Sequence, residues 1–378
     1  MNILGINGAI GWDGNILDIG ICWVHGSGAT LIMNGELKTA INEERFSRIK
    51  YDGNYPELSI EKILDQNKLT KYDIDLVVYV GLFVDMCFEL KQSGYIGKKL
   101  QEYFPNSKVE FLSHHMAHTA ATFYTSGFEE ANILSFDGAG DYELQPDGQW
   151  YVPHMKFSQG KDLTLTEVTS WYIEVPPMPI GFGSMYGVFS LLVYNNKMGV
   201  SEHILARETY PGKVMGLAAF GDYQKIDLPE WFSLERERQR YSNIEWEDCF
   251  PQLYNSPILY NIPLEEYTKV NPDDLAAWSQ HQFEKYLLLF LSNIPTHMKR
   301  DNLCLGGGCA LNILTNSKII EQGIYKNVHV NTAPNDDGLH FGAALYKAAE
   351  KEHKIILPDD IGYLGISYTD EDIEAALC

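Results

Sequence analysis

Apolar residues in this chain fall either in short unbroken runs or at helical spacing. Asn2–Ile6 (NILGI) and Ala29–Met33 (ATLIM) are compact aliphatic runs that predict buried strands. Asn34-Gly35, between ATLIM and ELKTA, is a tight-hairpin signal, because a two-residue turn of that kind needs positive φ at both positions. Ile133–Phe136 (ILSF), the glycine-rich turn Asp137–Asp141 and a second hairpin signal at Asp147-Gly148 repeat the arrangement. Pro56–Asp65, Leu76–Tyr79 and Glu110–Leu112 supply helical and alternating segments between the two units. The pattern predicts an internally duplicated α/β chain.

The later pattern is mixed. Asp273–Thr296 is rich in helix formers with apolar residues at helical spacing. Asn302–Leu305 (NLCL) reads as a buried strand running into Gly306-Gly307-Gly308, and Ala310–Asn316 as a helix start. Val328–Val330 is a further strand, and Asn335-Asp336-Asp337-Gly338 precedes a helix from about Phe341 to Lys354. Pro358–Cys378 has turn residues and an acidic helix start but no further core.

Composition narrows the function. With 378 residues, 45% of them hydrophobic, the chain can bury the core of a bilobed protein. Its formal net charge of -22 repels phosphate backbones and anionic membranes, which argues against a general nucleic-acid surface. A local pocket can still take a small anion. The six cysteines form no C-x-x-C pair, and no basic flank with an apolar core opens the chain, so reduced thiols and a cytoplasmic location are expected. The uncharged stretch from Val175 is broken by Pro176, Pro177 and Pro179 and does not read as a membrane span.

The densest chemistry is SHHMAHTAATFY, residues 113–124. On a helix His114 and His118 share a face, while His115 is turned about 100° away. The pair reads either as metal ligands or as polar residues capping apolar surface. A metal needs a further ligand, and Asp336, at a glycine turn before a helix, is the natural carboxylate, with Asp337 its competitor. Two imidazoles and one carboxylate suit Fe(II), Mn(II) or Zn(II). Three glycine turns follow strands: His25-Gly26-Ser27-Gly28, Asp137-Gly138-Ala139-Gly140 and Gly306-Gly307-Gly308. Each is an ordinary tight turn or a place where backbone amides approach a phosphate, and together they point to a nucleotide between two lobes. Gly26, Ser27, Asp137, Gly138, Gly140, Gly306, Gly307, Gly308 and Asn312 form that candidate set. His25, at the mouth of the first turn, is a candidate base, or else a turn histidine facing solvent. Lys213, between two glycines, suits an ammonium aimed at an anion, or a snorkelling surface lysine. Glu43–Lys50 (EERFSRIK) reads as a solvated helix start.

The ordered set LGIN, HGSGA, EERFSRIK, SHHMAHTAATFY, DGAGD, GKVMGLAAFG, LGGGCALN and PNDDGLHFGAAL resembles the O-carbamoyltransferases that decorate antibiotics and nodulation factors. These are similar in turn to the universal tRNA threonylcarbamoyl-transfer protein. The resemblance runs through most of residues 1–350. It implies an actin-like, hexokinase-like ATPase fold, with lobes at 1–128 and 129–356 around a nucleotide cleft. It implies iron held by His114, His118 and Asp336, ATP or carbamoyl adenylate on the glycine turns at 137–140 and 306–308, and a role for His25 in carbamoyl transfer to a hydroxyl-bearing acceptor. Full-length members carry a YrdC-like adenylating domain that activates carbamoyl phosphate. Residues 357–378 resemble the linker towards it, so a separate adenylating partner is one expectation, and a homodimer another. Gly8–Trp23 intervenes where members move directly from strand to histidine turn. Trp171–Tyr194 and Pro229–Glu266 are candidates for shaping the acceptor pocket. The rival readings are a tRNA threonylcarbamoyl transferase, a non-catalytic ATP-binding scaffold and a small-molecule kinase of the same fold.

Overall fold

The computed structural model describes residues 1–10, 25–80, 92, 94–144, 148–173, 181–199, 210–236, 251–255, 264–267 and 269–377. Residues 11–23 of the Gly8–Trp23 stretch lie outside these, as do 174–180 of Trp171–Tyr194 and 237–250 and 256–263 of Pro229–Glu266.

The first sheet holds β1 (Asn2–Asn7), β2 (Gly28–Met33), β3 (Glu36–Asn42), β4 (Leu76–Val80) and β5 (Lys108–Phe111), in the order β3-β2-β1-β4-β5. The central strands β1, β2 and β4 are buried almost throughout, which is why they read as unbroken apolar runs. Edge strand β3 alternates instead, and its outer edge is covered: Leu37 and Ala40 donate amides to the Ile356 and Leu364 carbonyls. Asn34 and Gly35 take φ of 51° and 78°, the turn their sequence predicts.

The second sheet begins with β6 (Glu130–Phe136), β7 (Glu143–Leu144), β8 (Trp150–Lys161) and β9 (Thr164–Ile173). A separate hairpin, β10 (Phe232–Arg236) with β11 (Pro251–Asn255), precedes the last strands, β12 (Asn302–Gly306) and β13 (Asn327–Val330). Read from β9, the order is β9-β8-β6-β12-β13. This matches the first sheet strand for strand, with antiparallel pairs first and parallel pairs last. The duplication is therefore real, but one of its expected landmarks moves. The hairpin equivalent to Asn34-Gly35 is Asp162-Leu163, closed by the Lys161–Thr164 pair, with Asp162 at φ 53°. Aspartate tolerates that conformation without a glycine to advertise it. The expected hairpin at Asp147-Gly148 lies between the short β7 and β8, and Asp147 itself is outside the described residues.

Eight helices complete the layers that position the site: α1 (Glu57–Gln66), α2 (Tyr95–Tyr103), α3 (His114–Tyr124), α4 (Phe182–Met198), α5 (Pro211–Leu217), α6 (Pro272–Ser292), α7 (Ile313–Glu321) and α8 (Leu339–Glu352). Helices α1 and α2 cover one face of the first sheet through Ile60, Ile63, Ile96 and Leu100. Helices α3 and α8 lie between the sheets. The α8 residues Leu339, Ala343 and Ala344 pack on Ile3, Ile32 and Val78, and Phe123 of α3 packs on Ala131, Ile133 and Cys304. Helices α4 and α6 cover the far face of the second sheet with an aromatic core that includes Phe136, Phe182 and Phe283. Helix α6 starts where Asn271 accepts the Asp273 and Asp274 amides, with Pro272 in the first turn.

The central helix pair is packed backbone to backbone. A Cβ on Gly342 of α8 would stand 1.9 Å from the Ala117 carbonyl oxygen of α3. Gly342→Ala must push the helices apart, and it is expected to cost about 2–3 kcal/mol in denaturant unfolding.

Candidate active site

The first two turns of α3 present His114 and His118 on one face, with their Nε2 atoms 3.1 Å apart. Asp336 reaches them from the turn between β13 and α8, its Oδ1 3.4 Å from each Nε2. Asp137, at the end of β6, places Oδ2 3.1 Å from His118 Nε2 and 3.8 Å from His114 Nε2. All four donor atoms lie within 4.8 Å of one another. Ligands around a four-coordinate ion with bonds of about 2.1 Å are separated by about 3.4 Å. The observed separations bracket that value. Two facing imidazole nitrogens at 3.1 Å cannot both carry a proton, so an ion accepting both lone pairs fits the geometry. Two nitrogens and two carboxylates suit a divalent transition metal.

The electrostatics agree. Burial works against a charged His118, but Asp137 and Asp336 outweigh it and raise its pKa to about 9. Both carboxyls are held below their usual range by the neighbouring histidines despite burial, and Asp137 far below it. Asp337, the competitor of Asp336, faces away from the cluster. Its oxygens take the amides of Asn42 at 3.4 Å and Asn335 at 3.0 Å, and burial raises its pKa.

His115 has a different task. Its Nε2 lies 3.1 Å from the Pro153 carbonyl and its Nδ1 2.7 Å from Ser135 Oγ, which fixes a neutral ring. Burial, with His114 and His118 beside it, keeps its pKa well below the usual value. His115→Ala is expected to lower stability by about 2–4 kcal/mol while leaving metal content unchanged, as unfolding and elemental analysis would report.

His25 lies just before β2, with Nδ1 3.5 Å from Asp336 Oδ2. Asp336 thus faces the histidine pair with one oxygen and His25 with the other. Asn7 holds this junction. Its Nδ2 donates to the His25 carbonyl at 3.2 Å, the Gly26 carbonyl at 3.0 Å and the Asp336 carbonyl at 3.4 Å. LGIN was legible as a strand end, but nothing in it marked Asn7 as a clamp.

His25 and the cluster carboxylates Asp137 and Asp336 line one cavity of 690 Å³, while His114 and His118 are buried and off its wall. The first lobe contributes Arg45, Lys50 and Tyr51 to its wall, and the second contributes Ser184, Tyr186, Lys213 and Phe283. Lys213 Nζ also lies 5.4 Å from the centre of the Tyr210 ring. EERFSRIK is therefore more than a solvated helix start. Glu43 is buried and accepts the Leu58 and Ser59 amides at the start of α1, while Arg45 and Lys50 face the cavity.

Of the candidate nucleotide residues, Asp137, Gly138, Gly308 and Asn312 are on the cavity wall. Asp137 does more than expected. It joins the histidine cluster while accepting the Gly138 amide at 2.7 Å and the Gly308 amide at 2.9 Å. Asn312 caps α7 through the Thr315 amide and pairs with Gln280. Gly26, Ser27, Gly140, Gly306 and Gly307 stand behind the wall, where missing side chains permit close packing. A Cβ at Gly140 would meet the His115 ring at 2.6 Å, one at Gly307 the Phe136 carbonyl at 2.2 Å, and one at Gly26 the Asp337 amide at 2.6 Å. A Cβ at Gly306 would come within 3.0 Å of the His118 carbonyl, and Ser27 Oγ donates to the Asn54 carbonyl at 2.5 Å.

Residues 83–345, more than half of the chain, match the family described as Carbamoyltransferase N-terminus. The chain belongs to the carbamoyltransferase family. An uncharacterized protein of Synechocystis is 26% identical over 94% of this chain and 61% of its own length. Nodulation protein NolNO of Sinorhizobium fredii is 27% identical over 93% of this chain and 50% of its own. This carbamoyltransferase-family chain thus spans between half and about three-fifths of these two relatives. The crystal structure of HypF from T. kodakarensis superimposes with a TM-score of 0.51 at 14% identity, over 93% of this chain and 48% of that one. That likeness concerns the fold alone, and with the duplicated sheets it gives the two-lobed, actin-like ATPase fold. Among the described residues no helix is long and apolar enough to cross a membrane.

Proposed function

We propose that this chain transfers a carbamoyl group from carbamoyl adenylate to a hydroxyl of a small-molecule acceptor. The observation that carries the reading is that His25 and the two carboxylates of the four-donor cluster share one cavity in a carbamoyltransferase-family fold. His114, His118, Asp137 and Asp336 would hold the metal, with Fe(II) the first choice and Mn(II) or Zn(II) the alternatives. The bound ion supplies positive charge beside the departing phosphate.

The chain's own residues do the rest. The Asp336 carboxylate beside His25 Nδ1 favours the proton on that nitrogen, so Nε2 receives the proton of the acceptor hydroxyl. The acceptor oxygen bonds to the carbamoyl carbon, the bond from that carbon to the phosphate oxygen breaks, and AMP leaves with the electron pair. Lys213, Arg45 and Lys50 supply positive charge on opposite walls for the donor's phosphate, against a chain of net charge -22. Gly138 and Gly308 donate their amides to Asp137 and line the cavity, where the lack of a side chain would let the nucleotide approach the backbone.

In this reading the lobes divide near residue 128, and residues 357–378 lead towards a YrdC-like adenylating domain or partner that makes the donor from carbamoyl phosphate and ATP. A homodimer in the cytoplasm belongs to the same reading. The test supplies synthetic carbamoyl adenylate with a panel of sugar and polyketide alcohols. Acceptor-dependent AMP release with a carbamate ester in the mass spectrum is expected. AMP release that no acceptor accelerates would count against the transfer.

A further inference from the structure

Both histidines of the cluster sit in the first two turns of α3, the wrong end of a helix for a cation. Aligned peptide dipoles put partial positive charge at a helix N-terminus, and the first amides there lack partners within the helix. Ser113 is the N-cap residue, yet its side chain makes no capping bond. The His114 amide donates instead to Asp141 Oδ2, 3.1 Å away and 27 positions later in the chain. Asp141 is 1% exposed. It closes the DGAGD turn, whose first residue, Asp137, gives the cluster a carboxylate oxygen. The turn is wedged against α3 at a third point, because Gly140 leaves room for the His115 ring only by lacking a Cβ.

We propose that Asp141 is a positioning residue for the metal. It pins the backbone of His114, and its charge offsets the helix field that would otherwise oppose an ion on His114 and His118. The inference rests on the metal reading above. It separates into a hydrogen-bond effect and a charge effect, which different substitutions remove. Asparagine at 141 keeps an oxygen for the His114 amide but loses the charge, and alanine loses both.

The test is Mn(II) binding to the full chain, followed by the paramagnetic resonance of the free ion. Asp141→Ala should raise the Mn(II) dissociation constant about 10–100-fold, the range found for partners that orient metal ligands. Asp141→Asn should fall between it and the wild type. Ser113→Ala, at the position that ordinarily caps, should bind like the wild type. Melting of the metal-free proteins checks that each variant folds. If Asp141→Ala does not fold, Asp141→Asn decides, and wild-type affinity there overturns the inference. So does a Ser113→Ala protein weakened as much as Asp141→Ala. A wild-type protein that binds no Mn(II), Fe(II) or Zn(II) removes the metal reading itself, and this inference with it.

Discussion

The His118→Ala protein is expected to lose its metal and, with it, about a thousandfold in carbamoyl transfer. His118 Nε2 is the most connected donor of the cluster, within 3.1 Å of both His114 Nε2 and Asp137 Oδ2 and 3.4 Å from Asp336 Oδ1. Alanine leaves three donors in a site spaced for four. It also takes away the imidazolium that keeps two buried carboxylates compatible when no ion is present. A thousandfold is about 4 kcal/mol, in keeping with the several kcal/mol a Lewis acid supplies to a leaving group. Elemental analysis of wild type and variant purified side by side reads the metal, and AMP release reads the rate. Equal metal in both proteins would move the site elsewhere.

The His25→Ala protein should show the opposite split: metal retained, turnover lost. His25 reaches Asp336 through Oδ2, whereas the histidine pair faces Oδ1, so the cluster survives its removal. Loss of a general base costs about 10²–10⁴-fold in kcat, with little change in KM for the donor. Added imidazole should restore part of the rate, because only a proton acceptor is missing. A His25→Ala enzyme at full speed would leave the acceptor proton to another group.

Much of this was legible in the sequence, for identifiable reasons. Strands β1, β2 and β4 announce themselves because both faces of a central strand are buried, and α3 announces its histidine face because spacing fixes which side chains meet. Asp336 could be placed near the histidines only through a turn before a helix, and the choice against Asp337 needed the Asn42 and Asn335 amides. The place of Asp137 was missed because a carboxylate before a glycine turn reads as a phosphate neighbour. Its contact with His118 joins a strand end to a helix start and leaves no local trace. Gly140, Gly306 and Gly307 were read as places where a phosphate could approach, and each also stands where a Cβ would meet His115, α3 or Phe136. Glycine in sequence marks close approach without saying of what. Asn7 and Asp141 were silent for the same reason as Asp137, since each acts on a residue distant in the chain.

The most direct measurement is anomalous diffraction at the iron edge from crystals of the wild-type chain grown with Fe(II). One peak bounded by His114 Nε2, His118 Nε2, Asp137 Oδ2 and Asp336 Oδ1 is the predicted result. Iron bound elsewhere, or an ordered cluster of these four side chains with no peak among them, would contradict the account.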